Sequence, residues 1–466
     1  LSLYSDFEEI VIDLEPGNSP AKHYHGTMPP SLLIYAPETS PRLTYISRVL
    51  FEVLYPIPYR LCTSVSEYQS FEGLKINYSV DALEGNEVHI LPSGLLAAST
   101  ITSFTPGVCW PGGHWPALFP DTEGVQTAFS HDLFSSCFFL LSRYEEYQGE
   151  RQYDIHGRLL ARDSWQREAG LLEYPLVDYW AMQLVAALQQ RWPGADMPKR
   201  RYRHLPTFDI DIAWAYLQRP WWRQALSLAR DIAAKDWANL RLRFQVWAGK
   251  ETDPYDCYAW LRSALEVRAL EARFFFHLGD YGPGDPALSY RNQALRSLVR
   301  EVDSWAQVGL HPSLASNRIK GRLDIEKNRI EAILGRAVRE TRQHYLALSL
   351  PDTYRQLLGA GFEKDYSMGF SDRPGFRAGI SGPFPWYDLQ AERPTDLWIQ
   401  PLHVMDVTLK QYLRLDPEEA KLLISRLAGR CREVNGVFCS LWHNSSFHPG
   451  EGWAGWKPVF LHLLDE

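Results

Sequence analysis

The run Leu205-Pro206-Thr207-Phe208-Asp209-Ile210-Asp211 decides the reading of this chain, because an apolar stretch stops there at two carboxylates one residue apart. In an extended strand alternate side chains share a face, so Asp209 and Asp211 point into one pocket. Two carboxylates on one face repel unless a cation lies between them. The local sequence also admits a helix start, with Asp211 capping Ile212-Ala213-Trp214-Ala215-Tyr216. Residues further along the chain separate the two.

From Arg201 onward short apolar strands alternate with amphipathic helices, and the candidate strands are 203–209, 271–278, 307–311, 339–345, 364–369, 397–404 and 436–443. Between them, Ile319, Leu323, Ile330, Ile333 and Leu334 share one face of a helix expected over 319–334. Asp416-Pro417-Glu418-Glu419 reads as a helix start with cap, N1 proline and N3 glutamate. Seven strands with helical crossovers imply a parallel arrangement, either a barrel or a doubly wound sheet. Strand after strand ends in a group able to ligate metal or move protons: Asp209 with Asp211, His277, His311, Arg342 with His344, Asp365, His403 with Asp406, and His443. In a parallel barrel the carboxyl ends of all strands open on one face, where such residues converge. That convergence favours the paired-carboxylate strand over the helix cap.

In order and spacing, Thr207-Phe208-Asp209-Ile210-Asp211, Glu271-Ala272-Arg273-Phe274-Phe275-Phe276, Val308-Gly309-Leu310-His311-Pro312-Ser313, Arg342-Gln343-His344-Tyr345 and Ser440-Leu441-Trp442-His443 resemble the successive motifs of the polysaccharide deacetylases of the NodB-homology type, carbohydrate esterase family four. The resemblance covers about 200–464, and the whole chain looks like a bacterial subgroup with its own N-terminal domain. It implies an α/β fold, a distorted (β/α)7 barrel preceded by a smaller α/β domain. It also implies one divalent metal, zinc first and other divalent cations as alternatives, with no organic cofactor, and hydrolytic removal of an acyl group from an N-acylated sugar or a related C–N substrate. Carried over by position, Asp209 matches the general base, Asp211 and His311 match metal ligands, Arg342 matches the arginine that orients the base, and His443 matches the acid that protonates the leaving amine.

The family's second histidine, four residues after the first, is Ala315 here. Ser316 is the expected third ligand, with Asn317, His277 or His344 as alternatives, and Ser and Asn are poor ligands for zinc. Gln343-His344 stands where the family has prolines. His277, His344, Tyr345, Asp365, Arg377, Trp442 and Asn444 are the candidate substrate-binding residues. Arg377 either clamps an anionic substrate or pairs with Asp372. The missing histidine motivates an alternative function, a catalytically lapsed barrel that binds carbohydrate or a protein partner; hydrolysis of a non-sugar amide is a third.

At 466 residues the chain is too long for one ordinary core. Residues 1–130 read as an N-terminal α/β domain, 131–199 as a helical connecting segment and 200–466 as the barrel. Leu43 to Tyr55 has helical spacing, the segment from Leu133 to Leu141 is apolar enough to be a buried helix behind the cap Asp132, and a second helix runs from Leu176 to Arg191. Arg143, Glu145 and Glu146 read as structural ion pairs at a domain seam. His23 and His25 sit in a Pro-rich loop, as a metal pair or, preferably, a solvated one. The formal charge of -8 gives no reason to expect nucleic acid or an anionic membrane as partner. Six scattered cysteines without a CxxC pair suit buried thiols in a reducing compartment. With no membrane span or signal-type apolar core the expected location is cytoplasmic, while a chain that begins at Leu1 leaves export open.

Overall fold

In the computed structural model of the chain, described for residues 31–466 apart from 114, 122–126, 151 and 449–451, strand Arg203–Ile210 runs straight out of the apolar stretch and stops one residue short of Asp211. The next helix is Trp221–Ala233, so Asp211 is not a helix cap. His23 and His25 lie outside the described residues.

All seven expected strands are present and parallel to their neighbours, in the order Arg393–Ile399, Lys364–Asp365, Glu340–Thr341, Gln307–His311, Arg273–His277, Arg203–Ile210 and Val437–His443. Two further strands complete a nine-stranded sheet: Phe384–Asp388, antiparallel to Arg393–Ile399 on one edge, and Val404–Met405, parallel to Val437–His443 on the other. The expected strand over 397–404 is thereby split between Arg393–Ile399 and Val404–Met405. Those over 339–345 and 364–369 shrink to two residues each. After Thr341 the chain leaves the ladder for a rim turn in which Tyr345 and Leu346 adopt φ of 60° and 56°.

The sheet curls, but among the described residues no strand pair joins its two edges, so in place of the expected distorted (β/α)7 barrel the strands form a curled, open half-barrel. The Phe384–Asp388 hairpin strand occupies the free edge of Arg393–Ile399, so those backbone groups are already paired. Residues 400–403 bridge the gap instead. The amides of Gln400 and Leu402 donate to the carbonyls of Asp365 and Met368, and that of His403 to Cys439 on the far side (2.8, 2.8 and 3.0 Å).

The N-terminal part forms a separate four-stranded parallel sheet in the order Tyr59–Cys62, Leu32–Tyr35, Leu74–Tyr78, Val88–Ile90. One hydrophobic cluster nevertheless runs from Leu32 to Leu464. Helix Pro41–Arg48, capped by the Ser40 hydroxyl, continues as a wide-turned helix over Val49–Leu54. Helix Leu133–Leu141, capped by Asp132, is buried along its whole length, with Phe138 against Tyr45 and Tyr387. Helix Arg322–Leu334 begins after Gly321, whose φ of 79° turns the chain, so Ile319 lies outside it and is exposed.

The seam between the two sheets holds buried charge. Glu146 accepts from Arg143 Nε (2.7 Å) and bidentately from Arg377 Nε and Nη2 (3.0 and 2.7 Å). Arg377 Nη1 donates to the Gly369 carbonyl (2.9 Å). Burial pushes the Glu146 carboxyl up, but Arg377 and Arg143 overcome it and hold it at about 2. A carboxylate depressed in this way adds stability that is full above its ordinary value of 4.5 and is lost as pH falls towards about 2. Glu146→Ala leaves Arg377 buried without a carboxylate and Arg143 with Glu145 alone (2.6 Å), and is expected to cost about 3–5 kcal/mol in denaturant unfolding. The gap between wild type and variant should narrow as the pH is taken from 5 towards 2.

Candidate active site

Parallel register brings the strand-end groups to one rim. His443 lies opposite Asp209 on neighbouring strands, and His277 opposite His311. Asp209 is buried, and its Oδ1 accepts from Arg342 Nη1 at 3.1 Å. Arg342 is fixed by Nε donating to the Tyr366 carbonyl (3.0 Å) and by its guanidinium lying 4.8 Å from the Phe275 ring centroid. The other oxygen, Asp209 Oδ2, stands 3.7 Å from His311 Nε2.

Asp211, His311 and His344 form a group whose ligand atoms lie within 4.8 Å of one another. Asp211 Oδ1 is 3.2 Å from His311 Nε2 and 3.6 Å from His344 Nε2. Each imidazole is oriented from behind. His311 Nδ1 donates to the Arg342 carbonyl (2.7 Å), and His344 Nδ1 donates to Asp285 Oδ1 (3.1 Å). The proton on Nδ1 leaves the Nε2 lone pair facing Asp211, the tautomer a metal ligand requires. Asp211 Oδ1 and His311 Nε2 are buried polar atoms without a hydrogen-bond partner, as is His277 Nε2. Buried polar atoms are rarely left so, and a cation between them satisfies the set. Two imidazoles and one carboxylate suit zinc and leave a coordination position open.

Asp285 builds this arrangement without an obvious sequence signal. Its carboxylate accepts from the Leu314 and Ala315 amides (2.8 and 3.2 Å) as well as from His344. The loop that carries Ala315 thus anchors the carboxylate that aims His344. His277, Asp285 and His344 form a second group of potential ligands, in which His277 Nδ1 donates to the His311 carbonyl (3.0 Å). Ser316 is placed differently from the expected third ligand: its hydroxyl donates to the Ser313 carbonyl (2.7 Å) within its own turn.

Burial works to raise the Asp211 carboxyl, but His344, His311 and His443 hold it well below the usual range. Burial works to lower His311, and Asp209 and Asp211 raise it overall. Burial, with His344 and His311 nearby, drives His277 down to about 3. His443 Nδ1 pairs with Asp406 Oδ1 (2.9 Å), while Asp406 Oδ2 accepts from the His443 amide (2.7 Å) and the Ser446 hydroxyl (2.6 Å). Burial opposes the charged ring, yet Asp406 lifts His443 to about 10. His403, close to Asp406 in sequence, is a core histidine packed on Phe376 and Phe438.

The remaining candidates divide. Tyr345 is at the rim, its ring stacked on His344 and on His156 (centroids 4.1 and 4.4 Å). Segment 154–158 comes from the connecting region, and Arg158 ties it down by donating to the Tyr345 carbonyl and the Tyr412 hydroxyl (2.9 Å each). Asp365 is buried, accepts from the Ser367 amide and hydroxyl (2.9 and 2.7 Å), and is raised by burial to about 6. Arg377 pairs with Glu146 and not with Asp372, which instead accepts from the Ala161 amide. Trp442 points to the outer face against Phe460 and Trp456, and the Asn444 amide donates to the carbonyls of Ile212 and Tyr255. Arg377, Trp442 and Asn444 therefore sit in packing and not in the pocket.

The family described as a family of unknown function (DUF7033) matches residues 32–193. No curated protein matches the chain. Among solved structures, a candidate polysaccharide deacetylase from Mycobacterium smegmatis aligns with a TM-score of 0.37 and 14% identity over 57% of this chain and 84% of its own. The polysaccharide deacetylase from Bacillus cereus gives 0.27 and 14% over 57% and 88%. A CE4 family pseudoenzyme from Bacillus anthracis gives 0.27 and 11% over 57% and 61%.

His344→Ala is expected to abolish stoichiometric zinc binding, as read by metal analysis and titration calorimetry. Asp285→Asn should weaken binding by about 10–100-fold, because the imidazole loses the group that aims it. Ser316→Ala should leave affinity unchanged; a loss there would move the third ligand back to the serine.

Proposed function

We propose that this chain is a metal-dependent hydrolase that removes an acyl group from an N-acylated amino sugar or a closely related amide. The observation that carries the reading is the Asp211–His311–His344 group, in which Asp211 Oδ1 and His311 Nε2 are unpartnered, flanked by Asp209 held on Arg342 and by His443 held on Asp406. The motif resemblance over residues 200–464 supports the choice of an amide as the bond broken.

A divalent cation, zinc by preference, held by Asp211, His311 and His344 supplies Lewis acidity towards an amide carbonyl and towards water. Asp209 is the base. Arg342 occupies one of its oxygens and fixes the carboxylate plane, leaving Oδ2 to accept the proton of an attacking water. His443 is the acid. Its Nδ1 is committed to Asp406, so its other ring nitrogen carries the proton offered to the departing amine. Tyr345, backed by His156, offers a ring edge at the rim for a sugar. His344 offers a third potential ligand beside Asp211 and His311 although position 315 is Ala, and that supports the hydrolase reading over a lapsed barrel.

Acetate release from N-acetylated chitooligosaccharides or peptidoglycan fragments by the zinc-loaded protein tests the proposal. Full zinc occupancy with no acyl release from either class would refute it in favour of a binding protein. Asp209→Asn should keep the metal and lower kcat by about 10²–10⁴-fold. Asp406→Asn removes the charge that raises His443. Activity requires the protonated ring, so the alkaline limb of the pH–rate profile should move to lower pH, from a wild-type position set by a histidine at about 10 in the cation-free protein.

A further inference from the structure

The segment that follows Asp211 folds as a helical hairpin, Trp221–Ala233 and Trp237–Trp247, whose amphipathicity is inverted. On the first helix Trp221, Trp222, Ala225, Leu226, Ala229 and Ile232 fall on one side, and that side faces solvent: Trp221 is 82% exposed, Leu226 65% and Ile232 50%. Trp237 (66%) and Phe244 (53%) continue the surface on the second helix. The polar side faces in. Asp231 and Arg243 form a buried ion pair, Arg243 also donates to the Ser227 hydroxyl (2.7 Å), and Arg223 donates to the carbonyls of Pro286 and Ala287 (2.9 Å each). Turning the apolar side inward would break that buried ion pair and the Arg223 contacts with the 286–287 loop, and these hold the hairpin in its present orientation.

Charge is inverted as well. Residues 219–250 hold seven Lys and Arg against two Asp, a net +5 within a chain of net -8. Arg230, Lys235, Arg241 and Lys250 are exposed around the apolar face. A second copy placed on this face would bring like charges together. A soluble glycan stacks on aromatic rings but gains little from a continuous row containing Leu226, Ala229 and Ile232. Tryptophan at the ends, aliphatic side chains along the row and cations at the margin match the boundary between anionic headgroups and acyl chains.

We propose that the Trp221–Trp247 hairpin docks this protein on an anionic phospholipid bilayer, lying in the interface; no helix among the described residues is long and apolar enough to cross one. The net charge of the whole chain conceals this surface. The docking is independent of the chemistry at Asp211, although both lie on the side of the sheet where strand Arg203–Ile210 ends.

Flotation of the full chain with phosphatidylglycerol–phosphatidylcholine vesicles and with phosphatidylcholine alone tests it. The protein should float with the anionic vesicles, and its partitioning should fall by about tenfold or more in Leu226→Ser/Ile232→Ser/Trp237→Ser and at high salt. These side chains are exposed, and an unchanged thermal melt would confirm that the variant is folded. No flotation with anionic vesicles, undiminished flotation of a folded triple variant, or equal partitioning into neutral vesicles would each overturn the proposal. So would a dimer split by the triple variant, or retention on a soluble anionic polysaccharide, in a protein that does not bind vesicles.

Discussion

The parallel register between Arg203–Ile210 and Val437–His443 is the constraint on which the rest of the site depends. Seven consecutive residue pairs, ending in Asp209 opposite His443, fix the two strands against each other. A slip of one residue would turn each side chain to the other face and send Asp209 into the packing now occupied by Phe208 and Phe460. The neighbouring ladders carry the same level around the rim, so His277 meets His311 and the chain after Thr341 delivers Arg342 and His344 to the same edge.

Burial sharpens what those groups can do. Every imidazole of the cluster is buried, so each Nδ1 finds a fixed acceptor, a carbonyl for His277 and His311 and a carboxylate for His344. What is left over is not random: the unpartnered atoms of Asp211, His311 and His277 are those facing inward. Arg342 Nη2 is unpartnered beside them, and a group of buried polar atoms left so in one network is one that a ligand would satisfy.

The N-terminal sheet reaches the rim through the connecting segment. Glu146, held between Arg143 and Arg377, locks the 370–380 stretch against the helix Leu133–Leu141. Downstream, residues 154–158 lie across the rim and stack His156 on Tyr345. One wall of the pocket is therefore built by residues far outside the strand-and-helix repeat.

The strands, their parallel order and the strand-end residues were legible in the chain because hydrophobic alternation and helix caps are local properties; the capping box at Asp416 forms as its spacing indicates. The pairing of Arg377 was not legible, since its partner Glu146 lies 231 residues away. Nor were the aim of His344 and the weight of Asp285. That carboxylate sits in a loop without periodic signal and matters only because two amides of another loop and one imidazole close on it. The inverted hairpin after Asp211 was hidden for a related reason, because amphipathic spacing states which residues share a face and not which face the fold turns inward. The sequence by itself thus determined the elements and the chemical groups at their ends. The tertiary structure decided which nitrogen faces which oxygen, because contacts between distant residues depend on how loops and strands meet in space.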